Sequence, residues 1–440
     1  MELTFRSIVI KGLEWADKTY VDNGVLYVNK KEALLACGEY SNIDGIDLHI
    51  ARPGENIRIV PVKAAIEPRC KIGDKGAMFP GIVGPMRQAG TGITLALKGA
   101  AVIPVPVLVT ESNDIEAKCR SGAILDMSGP IAAYTPLSQT YNLIIDVKVN
   151  QNVMSKETLS TDEVCRLAGF KLAVYLADCC KDDVADSEKT YTLSDVSEDL
   201  PGVVYVMQLL AQNPEIIDFH VYGQLAGATF IPTYVHPNEI YDGSVTTFLG
   251  SHCTVSADKQ YMYEIQNSPV IEELYKLHGK TIKFLGVIVH NEVLTLKGKE
   301  RASLFVKNIS KALGAKGAIL VTEGHGNPDE DIMMNVRNLE NAGISTVIIS
   351  DELGGRDGRS PGLADWVPEC NAMVSVGNMH ELLAVPKKTN VFIGNENSME
   401  IVKALVDKDP AEKDLFFIEI KDIPLACAQA GISNLSARWI

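Results

Sequence analysis

Short apolar runs alternate with helical stretches over the last third of the chain. The runs cover residues 284–289, 318–321, 346–349, 372–376, 391–393 and 415–420. Between them, apolar residues recur about every 3.6 positions, as Phe305, Ile309 and Leu313 do before Gly314. Because such alternation is typical of helices that connect parallel strands, it predicts a doubly wound, mainly parallel sheet in the C-terminal part.

The first 150 residues show the pattern of strands instead. Short β-branched runs are separated by Gly, Pro and Asn, and residues 20–28 hold Asp22-Asn23-Gly24 at their centre. Asn-Gly tolerates the positive φ angles of a tight hairpin turn. We therefore expect a β-rich N-terminal module.

The middle of the chain mixes the two patterns. Apolar residues from Val164 to Cys179 fall on one helical face, which predicts a helix that ends near Cys180 and buries the Cys179 thiol. The acidic stretch 181–200 is expected to be a surface connection, and residues 203–210 and 228–235 to be buried strands.

Together these patterns predict an α/β fold in three parts. They are a β-rich module over residues 1–150, an α/β segment over 151–252 and a doubly wound α/β domain over 253–440.

Composition narrows the class of protein. With 41 basic and 56 acidic residues, the formal net charge is −15 at pH 7, the wrong sign for nucleic acid or an anionic membrane. No run approaches about 18 apolar residues, and no basic segment precedes an apolar one at the N-terminus, so we expect no membrane span. Nine cysteines without a C-x-x-C spacing favour a reducing, cytoplasmic compartment.

Three polar loops, residues 290–292, 323–327 and 351–357, follow predicted strands of the C-terminal sheet. Carboxyl ends of parallel strands meet at one edge, where doubly wound sheets bind ligands, and the second loop precedes a helix N-terminus that can hold an anion. Ordinary turns and caps explain each loop equally well. Without a G-x-G-x-x-G or P-loop pattern, and with eight histidines at no ligand spacing, the sequence predicts no nucleotide and no metal.

His252 and Cys253 stand side by side before the terminal sheet. Adjacent residues rarely orient each other as a nucleophile and its base must, so on spacing alone the pair is more often incidental than catalytic. The spacing leaves both interpretations open.

Segments along nearly the whole chain carry a resemblance to a known family. They are residues 24–30, 51–55, 66–69, 97–102, 124–130, 267–272, 323–329, 346–357 and 434–438, with the region of Cys253. The chain resembles component B of the glycine/sarcosine/betaine reductase complex, whose proprotein gives the alpha and beta subunits.

The resemblance implies self-cleavage before Cys253, which becomes a pyruvoyl group, the covalent cofactor, at the N-terminus of residues 253–440. Thiol attack on the preceding carbonyl gives a thioester, β-elimination leaves dehydroalanine, and hydrolysis of its imine gives the α-keto group. The family has asparagine before this cysteine, whereas this chain has His252. Our hypothesis is that processing survives, with the imidazole available as a base.

The implied activity is that of an oxidoreductase subunit, a reductive deaminase with a disulfide or thioredoxin as electron partner. The pyruvoyl carbonyl binds a small amine substrate as a Schiff base. The selenocysteine of a separate component B subunit then attacks the α-carbon and forms a carboxymethyl selenoether. This group passes to protein A, also a selenoprotein, and component C releases it as acetyl phosphate. Such a chain works in a cytoplasmic hetero-oligomer. Glycine or sarcosine suits this chemistry better than betaine, which has no N–H, and the choice of amine stays open.

Four residues are weaker candidates for substrate binding. Arg52 and Arg356 can hold a carboxylate through two hydrogen bonds, although surface or structural pairing explains them equally well, and Glu323 and His325 lie in the second polar loop. Two other functions stay open: acyl transfer by an intact Cys253 thiol, and an unprocessed scaffold subunit of a larger reductase assembly.

Overall fold

The computed structural model describes residues 1–41, 43–108, 123–149, 161–210, 217–227, 229–249, 260–322, 326–396, 398–399, 414–428 and 436–438. Its helices are α1 (Lys30–Cys37), α2 (Thr161–Cys179), α3 (Pro237–Tyr241), α4 (Met262–Gln266), α5 (Pro269–Leu277), α6 (Leu296–Ala312) and α7 (Gly326–Glu340). None of these helices is long and apolar enough to cross a membrane.

Strands make up most of the rest. In the first half they are β1 (Glu2–Val9), β2 (Gly12–Trp15), β3 (Tyr20–Asp22), β4 (Val25–Val28), β5 (Ile43–Ala51), β6 (Ile57–Val60), β7 (Arg69–Ile72), β8 (Gly92–Lys98), β9 (Ala100–Leu108), β10 (Leu125–Asp126), β11 (Tyr141–Val149), β12 (Ser187–Thr192) and β13 (Gly202–Leu209). In the second half they are β14 (Ile217–Val221), β15 (Gln224–Leu225), β16 (Thr233–Val235), β17 (Val245–Leu249), β18 (Lys283–Asn291), β19 (Gly317–Thr322), β20 (Ser345–Glu352), β21 (Met373–Asn378), β22 (Leu382–Pro386), β23 (Val391–Gly394), β24 (Leu415–Glu419) and β25 (Ser436–Arg438).

Small sheets build the N-terminal part, as predicted. Their strand orders are β12-β1-β8-β7, β5-β11-β9 and β2-β4-β3. The predicted hairpin is present between β3 and β4, where Asn23 and Gly24 take φ angles of 49° and 80°. Positive φ at both turn positions matches the right-handed twist of the paired strands.

A seven-stranded sheet of the described residues confirms the α/β fold class. Its order is β16-β18-β13-β19-β20-β21-β25, with antiparallel edge strands and five parallel strands between them. In chain order the parallel strands read 2-1-3-4-5, so the order reverses between β13 and β19. We call this position the switch point, and doubly wound sheets bind ligands beyond the strand ends there.

Each face of this sheet is covered by a different layer. Helices α6 and α7 pack together on one face around their own apolar core, whereas the other face shares one continuous core with the N-terminal module. Both faces are therefore buried, which explains the nearly unbroken apolar runs of the parallel strands. The central strand β13 precedes residue 252, so the sheet spans that predicted domain boundary; the boundaries themselves stay a prediction.

Two apolar runs predicted for this sheet lie elsewhere. β23 pairs with β6 of the N-terminal part, and β24 pairs with β22 as an antiparallel ribbon. The assignment was wrong because an apolar run indicates a buried strand but not the neighbour with which it pairs.

Three predictions for the middle of the chain are also corrected. The stretch 181–200 is more than a surface connection, because it contains β12 along the edge of β1. The predicted strand over 228–235 is limited to β16. Cys179 is exposed and Cys180 is buried instead, because the chain turns at the end of α2, where the Cys180 N–H donates to the Ala177 carbonyl at 3.0 Å.

Candidate functional site

Buried polar side chains gather at the carboxyl edge of the seven-stranded sheet, which we define as the strand ends of β18, β13, β19 and β20. Gln208 near the end of β13 lies opposite His290 on β18, and both, with Asn291, are at most 1% exposed. Burying such groups costs free energy unless they are hydrogen-bonded, and Gln208 Oε1 and Asn291 Oδ1 make no hydrogen bond to the described residues. This edge is therefore the candidate site.

Gln260 fastens the chain to the switch point. Its Oε1 accepts from the Leu210 N–H at 3.0 Å, and its Nε2 donates to the Gln208 carbonyl at 2.7 Å. Its backbone takes a left-handed φ of 51°, which is uncommon for a residue with a Cβ. His252 and Cys253 lie outside the described residues, in the segment between β17 and Gln260, so the chain returns from that segment at the switch point.

His290 presents a neutral imidazole at this edge. Its Nε2 lies 3.3 Å from the Asn335 Nδ2 on α7, so we assign Nε2 as the acceptor and place the ring proton on Nδ1. Burial lowers the pKa of His290 to about 4; a hydrogen bond to the Asn291 backbone opposes this change, and the nearby Lys299 charge adds to it. The imidazole is therefore uncharged near neutral pH.

A buried ion pair between Lys299 and Asp331 holds α6 against α7 next to His290 and Asn335. The Lys299 ammonium donates to Asp331 Oδ2 at 2.6 Å and to the Asn327 carbonyl at 2.8 Å. Burial raises the pKa of Asp331 to about 6, although Lys299 opposes the change. The pair ties α6 to the start of α7, the helix that carries Asn335.

Negative charge dominates the carboxyl edge. The buried carboxylates near it belong to Glu264, Glu292, Asp329, Asp331, Asp351 and Glu352. The described cations against them are the buried ammonium of Lys299 and, in the loop after β20, Arg356. Because Asp329 and Asp331 already bring negative charge to the first turns of α7, an anion at that helix end is disfavoured, and the edge suits a cationic group such as a protonated amine.

The structure separates the two arginines. Arg52 closes a turn after β5, with its Nη1 donating to Glu55 at 3.1 Å and its Nε to the Leu13 carbonyl at 3.1 Å. Arg356 lies in the loop that follows β20 at the carboxyl edge, where its Nε donates to Glu419 at 2.8 Å. Arg52 thus serves the N-terminal module, and Arg356 lies closer to the candidate site.

Some of the other predicted residues lie at the carboxyl edge and some lie outside the described residues. Residues 290–292 and 351–352 lie at one edge, as the sequence predicts. Glu323 and His325 lie outside the described residues.

Sequence reasoning missed Gln208, Gln260, Lys299, Asp331 and Asn335. Gln208 gave a usable signal, because it is the polar residue within the apolar run of β13. Lys299 and Asp331 gave none, since charged residues at their positions look like any solvated helix face.

Fold and site together define a doubly wound α/β protein with a polar, acidic edge at its switch point. The family model for glycine/sarcosine/betaine reductase component B subunits matches residues 1–438. The chain belongs to that family, as its sequence motifs indicate.

Curated relatives are similar in sequence to most or all of the chain. The chain is 37% identical over 444 residues to the glycine reductase complex component B subunits alpha and beta of Peptoclostridium acidaminophilum, covering 100% of both chains. It is 37% identical over 449 residues to the sarcosine reductase complex component B subunit alpha of the same organism, over 100% of this chain. It is 39% identical over 394 residues to that organism's betaine reductase complex component B subunit alpha, covering 88% of this chain and 86% of the relative. No solved structure matches the chain.

Proposed function

We propose that the chain is the precursor of the substrate-activating subunits of a glycine, sarcosine or betaine reductase complex, and that it matures by cleavage between His252 and Cys253. The observation that carries the proposal is the full-length similarity to component B subunits alpha and beta. The position of Gln260 supports it, because the chain leaves the Cys253 segment at the edge where doubly wound sheets bind ligands.

Maturation needs only the chain and water. The Cys253 thiol adds to the His252 carbonyl, and a thioester replaces the peptide bond. Elimination breaks the Cβ–S bond, which leaves a thiocarboxylate on residues 1–252 and dehydroalanine at position 253. Water then displaces the nitrogen of the derived imine as ammonia and leaves the pyruvoyl ketone. The His252 imidazole is available as the base for these proton transfers.

The described residues fit an amine substrate. When present, the pyruvoyl group supplies an electrophilic ketone that activates the C–N bond of the amine. Amide oxygens of Gln208, Asn291 and Asn335 make no hydrogen bond to the described residues, and they can accept the N–H groups of an amine. The buried carboxylates stabilise its positive charge, and Arg356 is the described candidate for its carboxylate.

The mature subunits would work in the cytoplasm with a selenocysteine-containing component B subunit, the selenoprotein A and component C. Together they would carry out reductive C–N cleavage that ends in acetyl phosphate, with a disulfide or thioredoxin as electron partner.

Intact-mass analysis of the freshly purified, active protein tests the proposal. We expect two fragments of 252 and 188 residues in place of one chain of 47.8 kDa, with the smaller fragment blocked to Edman degradation. Cys253→Ala should stay whole, and His252→Asn, which restores the asparagine of the family, should still be cleaved. The two variants separate the thiol from the residue before it.

An uncleaved chain in the active protein would contradict the proposal. If iodoacetamide then labels Cys253 and abolishes activity, the thiol enzyme is supported. If labelling leaves activity unchanged, the scaffold is supported.

A further inference from the structure

A cavity of about 290 Å³ lies between the N-terminal sheet and the α4–α5 connection, apart from the carboxyl edge. Its walls include Arg69 on β7, Lys98 at the end of β8, Lys189 on β12 and Asn267 before α5. Its volume is close to the lower end of the range for small-molecule pockets, about 300 Å³. We call it the Lys98 cavity.

The cations of this cavity exceed what its carboxylates need. The buried Glu67 Oε1 accepts from both the Arg69 guanidinium, at 2.7 Å, and the Lys98 ammonium, at 3.0 Å, while Oε2 makes no hydrogen bond to the residues that the structure describes. One cation would neutralise this carboxylate. Glu272 is paired with a third cation, Lys189, so the cavity keeps one positive charge in excess.

Lys98 lines the cavity with a donor left over after its own hydrogen bonds. The Arg69 guanidinium already donates hydrogen bonds to Glu67 and to the Tyr241 and Gln266 carbonyls. Lys98, by contrast, donates to Glu67 and to Asn267 Oδ1 at 2.6 Å, and its side chain is 35% exposed. Since an ammonium has three N–H donors, one is left for a ligand.

Helix α5 adds positive potential on the same side. Its N-terminal residues follow Asn267 directly, and Ser268, which also lines the cavity, caps the helix. The N-terminal end of a helix carries a partial positive charge. Glu272 in the first turn of α5 is paired with Lys189, so it does not cancel this potential, and Lys98 and the start of α5 both favour an anion.

We propose that the Lys98 cavity binds a small oxyanion, a carboxylate or a phosphate, between the Lys98 ammonium and the N-terminus of α5. None of the residues that line the cavity lies at the carboxyl edge, and the binding of an anion does not require cleavage. The two proposals therefore stand or fall independently.

Calorimetric titration of the full-length chain with inorganic phosphate and, separately, with acetate at low ionic strength tests this site. We expect saturable binding of one or both anions. Lys98→Gln should weaken it at least about tenfold, the effect of losing a charge-assisted hydrogen bond. Lys276→Gln is the matched control, because Lys276 is an exposed lysine of α5 that pairs with Glu273 and does not line the cavity.

Ser187→Asp is a second probe, because it adds a negative charge at an exposed strand position on the cavity wall and leaves the Lys98 network intact. It should also weaken binding, which keeps the test valid if Lys98→Gln fails to fold. Binding of phosphate alone or acetate alone identifies the oxyanion; no saturable binding of either to the folded wild type, or an equal effect of Lys98→Gln and Lys276→Gln, overturns the proposal.

Discussion

Replacing His290 with glutamine tests whether the carboxyl edge holds a neutral imidazole. Burial lowers the pKa of His290 from its ordinary 6.5 to about 4, so between these values the unfolded chain binds more protons than the folded one. The free energy of unfolding therefore rises with pH across this window and decreases as the pH falls. Because one pKa unit corresponds to about 1.4 kcal/mol, the wild type should lose about 3 kcal/mol through His290 between about pH 7 and pH 4.

Urea denaturation of wild type and His290→Gln across this pH range measures the effect. The stability difference between the two proteins is the useful quantity, because other groups that titrate in the window, such as Asp331, cancel in it. It should favour the wild type by about 3 kcal/mol more near neutral pH than at pH 4. His49→Gln, at a half-exposed histidine of β5, controls for loss of an imidazole as such. A difference that stays constant with pH would refute the assignment of a buried neutral His290.

Three further outcomes are expected. Gln260→Ala removes two buried hydrogen bonds at the end of β13 and should lower the free energy of unfolding in urea by about 2 kcal/mol. It should also slow the appearance of the two fragments, whereas the control Gln224→Ala, at an exposed glutamine, should change neither. Because the pKa of Asp331 is raised to about 6, the folded wild type binds more protons than the unfolded chain between about pH 4 and 6, and its free energy of unfolding falls through Asp331 as the pH rises. Asp331→Asn should abolish this contribution. Asp126→Asn leaves the Arg58 guanidinium, bound at 2.7 and 2.8 Å, buried and uncompensated, and should cost about 3–5 kcal/mol by the same denaturation assay.

The sequence predicts the parallel strands well because burial on both faces leaves a direct mark, a short apolar run. The runs of β18, β19, β20 and β21 all fall where the structure has strands. Pairing leaves no such mark, since it depends on distant residues. For that reason β23 was assigned to the wrong sheet, and the central position of β13 could not be foreseen.

The candidate site shows the same division. Polar residues after apolar runs, such as His290, are visible in the sequence because their position relative to a strand end is local information. Gln260 is not visible, because its function depends on reaching the backbone of β13 some fifty positions earlier in the chain. The Lys299–Asp331 pair is hidden for a related reason: it joins two helices that the pattern can place but not pack.

The strand order also constrains what cleavage at the proposed position can do. β13 precedes residue 252, yet it pairs with β18 on one side and β19 on the other, and both of these follow Cys253. The pairing of β6 with β23 joins the two parts of the chain a second time. A cut between β17 and α4 therefore breaks no ladder of the described sheets, and separating the fragments would remove the interior strand β13 and the edge strand β16 from a buried sheet. If the chain is cleaved there, we expect residues 1–252 and 253–440 to stay together as one interleaved unit, so that the cut creates a new N-terminus without separating a domain.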